Sequence, residues 1–150
     1  MDPTLHMPLG LQAAWMNGSG MMVWENVFGA WIPWSSRDRS ILRAMLPIQR
    51  RYAELFSGEN WTPLVPTSQS GLFASLWEGN GLRLWTLVNR RNESVPGRLL
   101  EIEARPGEKV HDLIKGEELR PEMIEGRLRI NGGIPARGIG CILAGKPAQL

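Results

Sequence analysis

The 150-residue chain has one cysteine and two histidines, and each scarcity removes a class of function. With Cys141 alone, no intrachain disulfide can form and cysteine pairing says nothing of the compartment. Its setting, Gly140-Cys-Ile-Leu-Ala144, is that of a buried strand thiol. His6 and His111 lack the neighbouring His, Cys or carboxylate spacing of a metal site, so no metal is expected. Charge of one sign is not concentrated either. Seventeen Lys and Arg against fifteen Asp and Glu leave +2, with five of each sign up to Asn60 and no basic stripe of the kind that binds nucleic acid. No stretch approaches the roughly 18 apolar residues of a membrane span, and the opening Met1-Asp-Pro-Thr-Leu-His-Met-Pro8 lacks the basic and apolar regions of a signal peptide. There is no Walker or dinucleotide glycine motif, and Asn17-Gly-Ser-Gly20 is not the Gly-x-Ser-x-Gly elbow of an acyl-transfer nucleophile, so no cofactor is implied.

What is present divides into two periodicities. Leu9–Met16 is a short helical candidate stopped by Asn17-Gly-Ser-Gly20. Met21-Met-Val-Trp-Glu25 then has apolar residues on both faces and ends on a charge, the pattern of a parallel strand covered on both sides. After a Trp- and Pro-bearing loop, Ser35 or Ser36 can cap a helix with Asp38 in its first turn. Ile41, Met45, Ile48, Tyr52, Leu55 and Phe56 form its apolar face, and Pro47 should kink or divide it. Residues 59–70 carry two prolines and no periodicity, which predicts an extended linker. From Gly71 the period becomes two: Leu72, Ala74 and Leu76 alternate with Phe73, Ser75 and Trp77, and Leu82, Leu84, Thr86 and Val88 with Arg83, Trp85 and Leu87. Gly79-Asn-Gly81 joins these runs as a hairpin. Further runs at 97–103, 109–113, 127–130 and 138–143 are separated by turn signals, among them Asn131-Gly-Gly133, and suggest a small β-sandwich.

Taken together, Asn17-Gly-Ser-Gly-Met-Met-Val-Trp-Glu-Asn-Val-Phe-Gly29, the helix after it, and the strand segments Ser75-Leu-Trp-Glu-Gly79, Leu84-Trp-Thr-Leu-Val-Asn89, Val95-Pro-Gly-Arg-Leu-Leu100, His111-Asp-Leu-Ile-Lys-Gly116 and Ile134–Leu143 resemble the carboxyl-terminal part of a glycoside hydrolase. The resemblance implies an α+β chain: residues 1–58 as the terminal helix-strand-helix unit of a (β/α)-barrel, 59–70 as linker, and 71–150 as an antiparallel β-sandwich accessory domain. A complete barrel takes about 200 residues or more, so most of one is missing and the chain is expected to be inactive alone.

In such a barrel Glu25 would stand at the carboxyl end of a strand, where catalytic carboxylates sit. It could act as acid, base or nucleophile only with a second carboxylate about 5–5.5 Å away for retention or roughly 6.5–9.5 Å away for inversion, and none is evident. A structural carboxylate bonding loop amides is the competing reading. Asn26 could bond sugar hydroxyls or hold its loop, while Trp24, Trp31 and Trp34 could stack on sugar rings or pack inside. Trp77 and Trp85 are expected to face each other across the first hairpin, as a packed pair or as a carbohydrate platform. Arg90 and Arg91 are expected to be solvated. The expected partner is carbohydrate, with neither nucleic acid nor membrane, and exposed strand edges would favour self-association or contact with the missing barrel portion. Two alternatives stand beside this: a noncatalytic carbohydrate-binding or structural β-sandwich module, and a single compact α+β domain in which residues 36–57 pack across the sandwich.

Overall fold

The computed structural model describes Gln12, residues 15–17 and residues 36–150, with side chains from Arg39 onward in the last span. Gln12, Trp15 and Met16 are helical, within the predicted helix Leu9–Met16, and Asn17, expected to begin its stop, is helical as well. Of the predicted strand Met21–Glu25 and the loop after it, all residues lie outside those described.

The principal helix, α1 (Ser36–Arg51), runs unbroken through Pro47. Proline removes one N–H bond and frees the carbonyl four residues before it, here Arg43. Both residues are on the solvent-exposed face, where water replaces the bond. The division falls instead at Tyr52 (φ −109°, ψ 31°), after which α2 (Ala53–Phe56) adds one turn. The ladder nearly continues across it, since the Tyr52 amide donates to the Ile48 carbonyl at 3.0 Å and Phe56 to Tyr52 at 3.0 Å. Ile41, Met45, Ile48, Tyr52 and Leu55 are all buried, as one face of an amphipathic helix requires.

Nine antiparallel strands follow: β1 (Trp61–Val65), β2 (Leu72–Gly79), β3 (Leu82–Asn89), β4 (Val95–Glu103), β5 (Lys109–Asp112), β6 (Glu117–Leu119), β7 (Glu122–Ile124), β8 (Arg127–Ile134) and β9 (Ile139–Gly145). They form a six-stranded sheet of order β1-β2-β3-β9-β5-β6 and a three-stranded sheet of order β4-β8-β7. The chain is therefore α+β, a β-sandwich with a helical layer on the larger sheet.

This three-layer arrangement gives two cores. Leu72, Ala74, Trp85, Leu87, Ile130 and Ile142 pack between the sheets. The α1 face packs on the other side of the large sheet against Trp77, Leu84, Val88, Ile139, Cys141 and Leu143. A strand covered on both sides has no polar face to show, so β9 is buried along its whole length and its sequence is continuously apolar. The same cover encloses β3, where the buried Arg83 is paired with Glu108 at 2.6 Å and lies 5.2 Å over the Trp85 ring.

Several expectations are corrected. Within the 59–70 segment, residues 61–65 are extended and lie against the sheet as edge strand β1, paired with β2. The hairpin turn consists of Asn80 and Gly81, both at positive φ (50° and 77°), which is the two-residue turn that matches strand twist. Its register sets Trp77 opposite Leu84 and Trp85 opposite Leu76, so the two tryptophans point to opposite faces and into different cores. At 3% and 4% exposure they cannot form a binding platform. Asn131-Gly-Gly133 is not a turn: it continues β8 against Arg98, Gly97 and Pro96, where β4 carries a register shift between Arg98 and Leu100. Arg90 is half-buried and bonded, as described below, while Arg91 pairs with Glu93.

Candidate functional site

The residues predicted to carry chemistry, Glu25 with Trp24, Asn26, Trp31 and Trp34, all lie outside the described residues, so the structure places none of them. What it places is the junction between the helical layer and the large sheet.

That junction begins where the β3–β9 ladder ends. The Asn89 amide N–H donates to the Gly138 carbonyl at 3.0 Å. The side-chain amide of Gln12 then donates to the Asn89 carbonyl at 2.9 Å and to the Gly138 carbonyl at 3.1 Å. Its own carbonyl accepts from the Arg90 guanidinium at 3.2 Å. Three positions on in the sequence, Trp15 donates its indole N–H to the Gly140 carbonyl at 2.8 Å. Gln12 and Trp15 are both buried, and a buried amide or indole is tolerated only when its polar atoms are bonded. The two side chains therefore fix the amino-terminal helical residues to the end of the sandwich.

Asn89 holds the adjoining loops. Its side-chain nitrogen donates to the carbonyls of Glu93 (2.9 Å), Ile134 (3.2 Å) and Pro135 (3.0 Å), and its side-chain oxygen accepts from the Arg91 amide at 2.9 Å. A neutral side chain with both a donor and an acceptor is needed here, and an asparagine at the end of a buried strand supplies both.

From Trp15 a row of rings crosses the outer core. Trp15 lies 6.1 Å from Phe56, Phe56 packs edge-on to Trp77 at 5.3 Å, and Trp77 stacks on Trp61 at 5.3 Å with 16° between planes. The last of these, half-exposed in β1, is an aromatic that the proline-bearing sequence gave no reason to single out.

The turn after β5 falls in the His111-Asp-Leu-Ile-Lys-Gly116 segment. One Asp112 carboxylate oxygen accepts from the amides of Ile114 and Lys115 at 3.0 Å each, and the Gly116 amide closes the turn on the Asp112 carbonyl at 2.8 Å. Beside it a 330 Å³ cavity lies between α1 and β5, lined by Ile48, Arg51, Tyr52, His111 and Leu143 among others. His111 Nε2 is buried there without a protein partner, but the neighbouring carboxylate is committed to its turn and forms no acid–base pair with it. The other buried carboxylate, Glu108, is held by Arg83. Burial pushes the Cys141 thiol well above its usual range, with the nearby Asp112 charge adding to the effect, so this thiol is inert as a nucleophile. Among the described residues no cluster of His, Cys, Asp or Glu could hold a metal ion, and no helix is long and apolar enough to cross a membrane.

No sequence-family profile matches the chain, and no curated protein does. Solved structures do. An α-amylase of Anoxybacillus, described as a new glycosyl hydrolase subclass, superposes with a TM-score of 0.60 at 11% identity, covering 100% of this chain and 34% of that one. α-Galactosidase I of Mortierella vinacea superposes with a TM-score of 0.51 at 13% identity, covering 99% of this chain and 37% of the enzyme. The chain spans little more than a third of either protein. Its fold is one found within glycoside hydrolases.

Proposed function

We propose that these residues are the end of a glycoside hydrolase acting on glycans: residues 1–58 as the last unit of a catalytic barrel, 59–70 as the connection, and 71–150 as the C-terminal β domain that braces it. The observation that carries this reading is the superposition of the whole chain on about a third of an α-amylase. The junction supports it: Gln12, Trp15 and the α1 face are seated on the large sheet, so the sandwich anchors what precedes it. With Glu25 near the active-site mouth and the other barrel strands missing, the chain is inactive by itself. Hydrolysis of aryl glycosides by the purified chain, abolished in Glu25→Gln, would overturn this.

The seating of α1 on the sheet also favours a second reading, one compact α+β domain with no catalytic parent. Limited proteolysis separates the two. Cleavage in the exposed stretch 57–60, releasing a resistant fragment that keeps β1 paired to β2, supports the two-part division, and protection of the whole chain supports the single domain.

A further inference from the structure

The aromatic row that starts at the buried Trp15 reaches the surface at Trp61, which is 38% exposed. Trp61 stands directly opposite Trp77 in the β1–β2 ladder and stacks on it, so one indole face is covered. Strand β1 is the edge of the large sheet, and among the described residues no strand lies beyond it. The other indole face therefore looks outward. A ring held this way has already lost its rotamer freedom, so a ligand stacking on it meets little of the ordering cost that a mobile side chain imposes.

The edge is also unsuited to accepting another strand. Pro63 has no N–H to donate, the pairing shifts register between Thr62 and Val65, and Leu64 has φ 53°. Few large apolar side chains are exposed among the described residues, namely Trp61, Leu64 (68%), Phe73 (42%) and Met123 (63%), whereas a standard protein interface buries about 800 Å² on each side. The residues flanking the ring in sequence, Glu59, Asn60 and Thr62, are polar and exposed. The exposed indole face is flat and apolar with a polar N–H edge, which is complementary to a pyranose ring, whose C–H face is apolar and whose rim is hydroxylated.

We propose that the outward face of Trp61 is a stacking site for a pyranose unit of a neutral glycan, a surface holdfast separate from any catalytic cleft. The ligand class rests on the glycan reading above. The test is native electrophoresis of the 150-residue chain through gels containing soluble starch, arabinoxylan or galactomannan. Retardation by at least one of them is expected, weakened on the order of tenfold in Trp61→Ala and kept in Trp61→Phe. Because Trp61→Ala also uncovers Trp77, fluorine NMR of the intact chain labelled with fluorotryptophan supplies a second readout, in which the Trp61 resonance, assigned through Trp61→Phe, shifts as the same glycan is added. Retardation unchanged in Trp61→Ala overturns the proposal, as does the absence of both retardation and shift with all three glycans. A patch that serves self-association would instead show a dimer by light scattering that Trp61→Ala dissociates, which also overturns it. The bracing function is independent of these outcomes, since it falls on aryl-glycoside turnover and stands whether or not Trp61 binds sugar.

Discussion

Trp15 donates its indole N–H to the carbonyl of Gly140 across 125 positions of sequence, from a site with no solvent exposure. Few single contacts tie the start of the described chain so directly to its last strand. Trp15→Ala should cost about 3–5 kcal/mol, the usual range for removing a large buried aromatic. Trp15→Phe should cost less, because it keeps most of the packing against Phe56 while losing a hydrogen bond whose net contribution is about 1 kcal/mol. Urea unfolding of the three proteins checks the order. If Trp15→Ala unfolds within 1 kcal/mol of the parent, by this order-of-magnitude standard, the anchoring role is wrong.

Asn89 offers a sharper test because one atom decides it. Asn89→Asp keeps the shape but turns the group that donates to the Glu93, Ile134 and Pro135 carbonyls into an anion facing three acceptors. An unpaired charge in a fully buried site disfavours ionisation, so the folded carboxyl titrates above its unfolded value of about 3.9. For an acid raised in this way, stability is highest below the unfolded pKa and is lost as pH rises through the folded one. The variant should therefore be severely destabilised at neutral pH and partly restored under mildly acidic conditions, relative to the parent at each pH. Thermal melts across that range would refute the scheme if the deficit were the same throughout.

The Cys141 thiol gives the chain an alkaline dependence of its own. Burial, and secondarily Asp112, raise its folded pKa well above the ordinary value, whereas the unfolded thiol ionises at about 8.5. Above that pH the unfolded state releases a proton that the folded state keeps, so stability is fully present below about 8.5 and declines as pH rises towards the folded pKa, by about 1.4 kcal/mol per unit. Between neutral pH and a pH of about 10 the parent should lose up to about 2 kcal/mol more than Cys141→Ala does. Equal alkaline losses in the two proteins would show that the thiol is not the group responsible.

Much of this architecture is legible in the sequence where a local pattern forces a local outcome. Ile41, Met45, Ile48, Tyr52 and Leu55 fall on one helical face and are buried together, Asn80-Gly81 turns the hairpin, and the alternation after Leu72 divides correctly between the two cores. What escapes is set by partners distant in sequence. Strand β1 is hidden by Pro63, and β6 and β7 are three residues each, with glutamates that look like loop until β5 and β8 pair with them. Trp77 and Trp85 are assigned to one face or two by a shift of a single position in register, which turn length alone decides. The bonds of Gln12 and Trp15 to carbonyls 77 to 126 positions away leave no local signature. Of the site, the carboxylate and tryptophans around Glu25 were suggested by residue type and lie outside the described residues, while the exposed ring of Trp61 depends on an edge position that only the sheet order reveals.

The approach of the two sheets supplies the last prediction. A Cβ added at Gly140 would stand 2.8 Å from the Cδ1 atom of Ile134, on β8 of the facing sheet, and 3.5 Å from the Cβ of Leu87 on the neighbouring β3, so a side chain there crowds the space between the sheets. Overpacking of this kind costs about 1–3 kcal/mol, and Gly140→Ala should fall in that range. The contact to be relieved is the end of a flexible side chain. Ile134→Val deletes that atom and on its own should cost about 0.5–1.5 kcal/mol through the small cavity it leaves. In the double variant the new methyl group occupies the space vacated by Cδ1, so the combined loss should be smaller than the sum of the two, with a coupling of about 1 kcal/mol. Urea unfolding of the four proteins closes the cycle. Strict additivity would mean that Gly140 is required by the backbone and not by Ile134, and that the spacing of the sandwich is set elsewhere.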